Sequence, residues 1–405
     1  MGGVTPHRPS AVPARRPSLL ALALVTGIGP FATDTYLAAL PQVRDALATS
    51  SAGAQLTITG FIVGLAVGQL VAGPVSDGRG RRGVVLLSAA AFTAVSLLCV
   101  VAPSVELLVL LRVLQGLVAG AGVAVGRAVI SDSHTGVAAA QAFGTLAAIT
   151  LLAPVIAPAV GGLVLAVADW RAVFGLMAAL GVLMLVAAVV GVPETLPPER
   201  HQRGGLRALG SRVGNLVVDR AFMHPVAVQC LATAGFFVYI GGSSLVLQGA
   251  LGLSSGTYSL VFATNAAAMA AASLAFRLTV ARWGARPLRW VGLLTSTAGA
   301  VALLVVALAE GAEVPLAAVW PLLCLVVAGM GLVLPANTVL GQEAGRRSAG
   351  TASSLLGGSG FLVGAAVTPL TGIVGDESVL AMAALMVPGF VAAVLVAAAP
   401  HLRRR

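Results

Sequence analysis

The chain has 405 residues, of which 58% are hydrophobic and 9% are charged, and its mean hydropathy is +0.99. Soluble proteins carry roughly a quarter charged residues, so this composition predicts a chain whose main solvent is lipid. The formal net charge of +10 comes from arginine, because the sequence contains no lysine. A Walker A phosphate loop needs a lysine, which excludes an ATPase of that type.

The cysteines and histidines show no pattern typical of a site. Cys99, Cys230 and Cys324 lie far apart inside apolar runs, and the histidines lie in tails, loops or a helix start. These positions predict neither a disulfide framework nor a metal site. No group of His, Cys, Asp and Glu shares a helix face, so we expect a protein that is not an enzyme and that needs no cofactor.

Twelve apolar runs of membrane-crossing length follow one another along the chain. About twenty apolar residues are needed to cross a bilayer as a helix, so the sequence predicts an all-α membrane protein. The longest polar gap divides the runs six and six. The predicted units are a tail at 1–18, a six-helix half at 19–192, a linker at 193–221, a second six-helix half at 222–400 and a tail at 401–405. The spans are expected near 19–40, 54–75, 83–102, 105–129, 138–166, 171–192, 222–248, 256–280, 288–309, 316–340, 349–374 and 378–399.

The arginines are concentrated on one predicted side of the membrane. With the N-terminus inside, that side collects the arginines of both tails, of the 73–83 segment and of the linker, whereas the opposite loops hold only Arg44 and Arg171. Cytoplasmic loops of membrane proteins carry an excess of Arg and Lys. We therefore expect both termini to be cytoplasmic, and the basic excess does not indicate nucleic-acid binding.

The segment from Gly73 to Gly83 places Asp77 and three arginines between two apolar runs. Such a charge cluster cannot lie in lipid, so we expect a very short turn at the membrane surface. Its spacing, Gly-x-x-x-Asp-x-x-Gly-Arg-Arg, resembles the loop between the second and third helices of major facilitator transporters. The resemblance implies the twelve-helix major facilitator fold, with Asp77 latching the inner side against the start of the eleventh helix. The conformational motif so implied consists of Gly73, Asp77, Gly80, Arg81, Arg82 and Asp132.

Two further motifs extend the family resemblance. Arg112-x-x-Gln115-Gly116 resembles the fourth-helix motif of the superfamily, which carries a membrane-embedded arginine. The segment 153–162 resembles the fifth-helix motif of exporters, although an alanine replaces the usual glycine before the second proline. The residues that carry this exporter motif are Pro154, Pro158, Gly161 and Gly162.

Finer likeness comes from the segments 32–41, 193–196, 331–337 and 349–354. Together with the motifs above, they are similar to the bicyclomycin-resistance (Bcr/CflA) branch of drug:proton antiporters. One departure is Ala38, where that branch usually has proline. The resemblance covers about residues 25–375 and implies an antiporter that exchanges protons for a drug.

Internal similarity links the two halves. Pro158-x-x-Gly161 in the fifth span matches Pro369-x-x-Gly372 in the eleventh. Transporters with repeated halves bind substrate near the membrane midplane, between halves that rock against each other. Glycines also recur every four residues at 60, 64 and 68 and at 360 and 364. These stripes fit either a moving interface between the halves or ordinary helix packing.

Asp34 is the only acid clearly within a predicted span, and Arg112 lies inside the fourth span. Counting residues from the helix ends places them about 9 Å and about 12 Å from the outer surface, in the outer half of the membrane. Charges inside a membrane are costly and usually functional. We expect Asp34 to exchange a proton for drug and Arg112 to keep its surroundings polar. The alternative is a purely structural pairing of the two, or an arginine bound to backbone carbonyls.

These features predict a monomeric, proton-coupled exporter of small lipophilic or amphipathic compounds in a bacterial inner membrane, driven by the proton gradient without ATP. The alternatives are the same fold exporting a metabolite such as an amino acid or sugar, or a non-transporting membrane receptor. The expected partners are the drug, protons and the lipid bilayer. The candidate residues of the substrate cavity are Phe31, Tyr36, Phe236, Phe237, Tyr239, Gln248, Asn265 and Asn337.

Overall fold

The computed structural model describes residues 16–134, 136–196, 214, 216–311, 313–345, 349–374 and 378–399, and helices make up nearly all of these ranges. These ranges contain no strand. The first seven helices are α1 (Leu19–Leu37), α2 (Leu40–Ala46), α3 (Ser51–Arg79), α4 (Arg81–Val100), α5 (Val105–Ser133), α6 (Gly136–Val167) and α7 (Trp170–Gly191). The later helices of the described ranges are α8 (Arg220–Leu245), which a π-helical turn at Val246–Ala250 extends, α9 (Ser255–Trp283), α10 (Ala285–Glu310), α11 (Leu316–Ala344), α12 (Ala349–Val367), α13 (Leu370–Val374) and α14 (Val379–Ala398).

The apolar helices match the predicted membrane spans. In the described part of the chain, eleven helices are long and apolar enough to cross a membrane. The remaining predicted span, near 138–166, corresponds to α6, which has 32 residues and whose described apolar part is Leu152–Val167. The all-α membrane fold predicted from composition is confirmed. The predicted tails and most of the predicted linker, at 1–15, 197–213 and 401–405, lie outside the described residues.

Short polar residues begin many of the helices. Each of these residues has extended backbone geometry, and its side-chain oxygen accepts a hydrogen bond from a backbone N–H of the first turn. This contact satisfies one of the N–H groups that the helix itself leaves without a partner. The capping residues are Ser18, Ser50, Ser104, Asp169, Asp219, Ser254 and Ser378.

The first predicted span, 19–40, is broken near its end. Helix α1 stops at Leu37, and a separate short helix, α2, begins at Leu40. Pro41 explains the break, because a proline ring clashes with the carbonyl of the residue four positions earlier, here Leu37. The proline fits in the first turn of α2, where its missing N–H costs nothing.

The charged segment 73–83 is helical rather than a turn, which corrects the prediction. Helix α3 continues to Arg79 and α4 begins at Arg81, so Gly80 alone joins them. Gly80 has φ +90, a value that favours glycine because it has no Cβ. Gly284 joins α9 to α10 in the same way with φ +78. The two halves therefore share this one-residue connection.

The glycine stripes pack helices inside each half. In α3, a Cβ at Gly64 or Gly68 would run into the backbone of α5, and in α5 a Cβ at Gly116 would run into the backbone of α3. In α12, Gly364 lies against the ring of Phe237 of α8. These are contacts within one half, so ordinary helix packing is the alternative that the structure supports. Across the halves, the main helix pairs are α6 with α9 and α3 with α12.

Candidate functional site

A cavity of about 350 Å³ lies between the two halves. Pro30, Thr33 and Asp34 of α1 form part of its wall on the N-terminal side. The C-terminal half contributes aromatic rings from α8, α9 and α12, so most of the wall is apolar. The other lining residues are Ile62, Leu65, Pro154, Gln229, Thr233, Phe236, Phe237, Tyr239, Ile240, Phe262, Ala266, Met269, Val327, Leu334, Gly357, Gly360 and Phe361.

Three of the eight predicted cavity residues line this space, namely Phe236, Phe237 and Tyr239. The other five do not, because four of them bind protein groups instead and Phe31 is half-buried on α1 outside the wall. Tyr36 shares a hydrogen bond of 2.9 Å with Thr57, and Gln248 donates to the carbonyl of Ala38. Asn265 donates to the hydroxyl of Tyr239 over 3.0 Å, and Asn337 accepts from Arg289 over 3.5 Å.

Asp34 lies on the cavity wall with its side chain almost entirely buried, at 7% exposure. Among the described residues, no side chain forms an ion pair or hydrogen bond with its carboxyl group. The residues that line the wall beside it, Pro30 and Thr33 on the same helix, carry no charge. A carboxyl group in such surroundings is stabilised by binding a proton or a ligand, since burial disfavours an unpaired charge.

Arg112 is fully buried inside the N-terminal half and away from the cavity wall. Its guanidinium carbon lies 4.2 Å from the ring centre of Phe61, 4.7 Å from that of Tyr36 and 5.7 Å from that of Phe174. A cation is attracted to the faces of aromatic rings at such distances. The aromatic rings therefore help to stabilise the buried guanidinium group.

The hydrogen bonds of Arg112 also stay within its own half. Its Nη1 donates to Gln115 Oε1 over 2.7 Å, and its Nε lies 3.4 Å from the carbonyl of Thr57. Gln115 continues the chain by donating to Ser96 over 2.7 Å. No ion pair joins Arg112 to Asp34 among the described residues. Of the two structural alternatives, the structure shows the contact with a backbone carbonyl and not the Asp–Arg pair.

Arg81 is the centre of a charged network at the end of α3. Its Nη1 lies 2.7 Å from Asp77 Oδ1 and its Nε lies 2.9 Å from Asp132 Oδ2. Arg82 does not bind Asp132 but donates to the carbonyls of Val189 and Val192 at the end of α7. The predicted contact of Asp77 with the N-terminal end of the eleventh span, near 349–351, adjoins residues 346–348 outside the described part of the structure and stays a prediction.

Glu194, to which the sequence motifs assign no role, completes this network. Its Oε1 accepts hydrogen bonds from the backbone N–H groups of Arg81, Thr195 and Leu196, and its Oε2 accepts from that of Arg82. It therefore caps α4, whose first residue follows a glycine without a capping side chain. An acid directly after an apolar span, in a loop rich in arginine, is the pattern that indicates such a cap. We call the end of the molecule formed by Asp77, Arg81, Arg82, Asp132 and Glu194 the arginine-rich face.

The two halves are joined at the opposite end of α3. Gln55 Nε2 donates to the carbonyl of Gly241 over 3.1 Å and to Thr371 Oγ1 over 2.6 Å, and its Oε1 accepts from the N–H of Gly372 over 3.1 Å. Gln55 is fully buried. The described hydrogen bonds between the halves also include Thr59 to the carbonyl of Ala365 and Gln248 to that of Ala38. We call this end, with Gln55, Thr59, Gln248, Thr371 and Gly372, the Gln55 face.

The exporter-like motif of α6 reaches both the helix of Asp34 and the other half. A Cβ at Gly161 would run into the carbonyl of Thr35, the residue next to Asp34. A Cβ at Gly162 would lie 2.6 Å from Ser259 Oγ on α9. Pro154, earlier in the same motif, lines the cavity, whereas Pro158 is buried but not on its wall. The two glycines therefore allow α6 to lie directly against α1 and α9.

Comparison with known proteins identifies the family. Residues 22–369 match the model of the Major Facilitator Superfamily. The chain belongs to this superfamily. It is 33% identical over 386 residues to the uncharacterized MFS-type transporter YdgK of Bacillus subtilis (strain 168), a match that covers 93% of each protein. It is also 30% identical over 237 residues to the multidrug resistance protein MdtL of Salmonella heidelberg (strain SL476). This match covers 58% of this chain and 60% of that relative.

Solved structures share the same fold. A bacterial homolog of the human lysosomal transporter Spinster, in an inward-facing and occupied conformation, matches 94% of each chain with a TM-score of 0.73 and 17% identity. A D-xylose-proton symporter matches 93% of this chain and 96% of its own, with a TM-score of 0.68 and 16% identity. The predicted major facilitator fold is confirmed. The protein is a multi-pass membrane transporter of this superfamily and not an enzyme.

Proposed function

We propose that this transporter is a proton-coupled exporter of small lipophilic or amphipathic compounds in a bacterial inner membrane, within the Bcr/CflA branch. The observation that carries the proposal is Asp34, a buried carboxyl group with no hydrogen-bond or ion-pair partner among the described side chains, on the wall of an apolar cavity between the halves. An ionisable group inside a membrane-spanning helix is costly and usually functional, and a carboxyl group that faces a cavity between the halves can exchange a proton. The multidrug name of the MdtL relative supports an exported drug.

The proposed orientation places the arginine-rich face in the cytoplasm, as the excess of arginine on that side suggests. The Gln55 face is then external, and its hydrogen bonds close the cavity toward the outside. A compound would enter the cavity from the cytoplasmic side while Asp34 is ionised. Asp34 would bind a proton from the outside and release that proton to the cytoplasm. Binding and release of the proton would favour opposite access states.

The energy needed is available without ATP. A membrane potential of 100 mV supplies about 2.3 kcal/mol for each charge that crosses, and about 1.4 kcal/mol corresponds to a tenfold concentration ratio. One proton per exported neutral molecule therefore supports a gradient of tens-fold from the potential alone. A D-xylose-proton symporter shares the fold, but most residues on the wall of this cavity are apolar, which favours a lipophilic compound over a sugar.

A drug-accumulation assay tests the proposal. The protein is expressed in a bacterial host whose own efflux pumps have been deleted, and a panel of hydrophobic antibiotics is tested. We expect lower intracellular accumulation of at least one antibiotic, and we expect a protonophore to abolish the difference. Export that continues after the proton gradient has collapsed but stops on ATP depletion would contradict the antiport mechanism.

A further inference from the structure

Two polar atoms on the cavity wall of the C-terminal half have no hydrogen-bond partner within the described structure. They are Gln229 Oε1 and Thr233 Oγ1, and both are buried. Thr233 is only 4% exposed, and both side chains line the cavity that contains Asp34. Buried polar atoms in proteins nearly always have a partner, and two such oxygens beside a cavity can accept hydrogen bonds from water or from a ligand that supplies donors.

The two residues lie together on one face of α8. They are four positions apart, which places them one above the other on a helix. Phe236, Phe237 and Ile240 follow them on the cavity wall, so the polar pair stands at one end of an apolar surface. This order suits a ligand with an apolar body and a polar group at one end.

Gly360 of α12 keeps the space in front of the pair open. A Cβ at this position would lie 3.5 Å from Thr233 Oγ1 and 3.8 Å from Gln229 Nε2. A longer side chain at Gly360 would therefore occupy the place where a ligand reaches the two polar groups. Gly360 also lines the cavity, so this space is continuous with it.

We propose that Gln229 and Thr233 form a hydrogen-bonding subsite that selects lipophilic compounds carrying an N–H or O–H donor. This inference rests on the proposed function, because it assigns a substrate class to the same cavity. A compound without a donor would leave both oxygens unsatisfied after it displaces solvent, and it would lose affinity for that reason. The aromatic rings of α8 and α12 would enclose the apolar body in either case.

Equilibrium binding to the purified full-length protein in lipid nanodiscs tests the subsite with two permanent cations. Ethidium carries two aromatic amines, whereas tetraphenylphosphonium carries no hydrogen-bond donor. For the double variant Gln229→Leu, Thr233→Val, we expect a roughly three- to tenfold weaker binding of ethidium, the value of one or two hydrogen bonds. Binding of tetraphenylphosphonium should stay within about twofold of the wild-type value.

Two further variants separate recognition from folding. Thr233→Ser keeps the hydroxyl group and should retain ethidium binding. Thr297→Val removes a threonine that bonds to its own helix outside the cavity, and it should leave both cations unaffected. Equal loss of both cations in the double variant, or unchanged ethidium binding, would overturn the subsite while leaving the proposed function intact. A wild-type protein that binds neither cation would overturn the subsite, whereas the drug-accumulation assay decides the proposed function.

Discussion

The Gln55 face and the arginine-rich face are held together by different chemistry. Gln55 and Asp77 stand near opposite ends of α3, about 33 Å apart at 1.5 Å per residue. At the Gln55 face, neutral and buried hydrogen bonds join the two halves. At the arginine-rich face, ion pairs and a helix cap stay inside the N-terminal half. None of the described hydrogen bonds or ion pairs crosses between the halves there.

This difference follows from the free-energy cost of leaving a polar or charged group without a partner. Charged groups that lose their partners are strongly destabilising, so a charged network that satisfies itself within one half can remain intact when the halves separate. Neutral amide and hydroxyl groups cost less to expose to water, so they can serve as contacts that break and re-form. We infer that the Gln55 face is a reversible gate and that Arg81, Asp132 and Glu194 keep the opposite end of the N-terminal half rigid.

The largest expected effect is at Asp34, between the two faces. Asp34→Asn removes the carboxyl group that we propose to bind the proton, and it also removes a buried charge, so the protein should still insert and fold. We expect complete loss of uphill export driven by a pH gradient in proteoliposomes, with binding of a neutral drug retained. Asp34→Glu, which keeps a carboxyl group, is the control and should retain part of the activity. Undiminished pH-driven export by Asp34→Asn would show that another group couples the proton.

Gln55→Leu tests the hydrogen bonds that join the two halves at the Gln55 face. It removes three hydrogen bonds between the halves, and each is worth about 0.5–1.5 kcal/mol. We expect the equilibrium to shift at least about tenfold toward the state open at the Gln55 face. Spin-label distances across this face should lengthen in the variant. Gln69→Leu, on the same helix but without a described hydrogen bond, is the matched control. Equal distances in both variants would exclude the gate.

Asp77→Asn tests whether Asp77 holds the two halves together at the arginine-rich face. The latch implied by the family resemblance places Asp77 at the N-terminus of the eleventh span, where a carboxylate gains about 1–2 kcal/mol when partly buried. We expect a shift of about five- to thirtyfold toward the state open at the arginine-rich face. Labelling of cysteines on the inner faces of the second and eleventh spans measures it, with Asp45→Asn as the control on the other face. Unchanged labelling with less protein in the membrane would assign Asp77 to folding alone.

The smallest expected effect is at Glu194. Glu194→Ala removes the cap of α4 and should lower the free energy of unfolding by about 1–2 kcal/mol, since a capping side chain is worth that much. The equilibrium between access states should not change, because the described contacts of Glu194 lie within one half. Thermal unfolding and the same cysteine labelling check the two statements. Glu343→Ala, which changes an exposed acid near the end of α11, is the control. A change in labelling would make Glu194 part of a gate.

The fold class and the helical spans could be predicted from the sequence, because lipid permits few backbone structures and requires long apolar segments. The sequence also indicated that Asp34 and Arg112 are candidate functional residues, because charged residues are rare in such segments. Only the tertiary structure decided that the two are not paired, that Arg112 is held by aromatic rings, and that the glycine stripes pack within halves. Gln55, Gln229 and Thr233 gained their roles only there. A neutral polar residue in an apolar span gives the same sequence pattern whether it faces its own half, the other half or a cavity. The packing of the helices decides which of these surroundings it has.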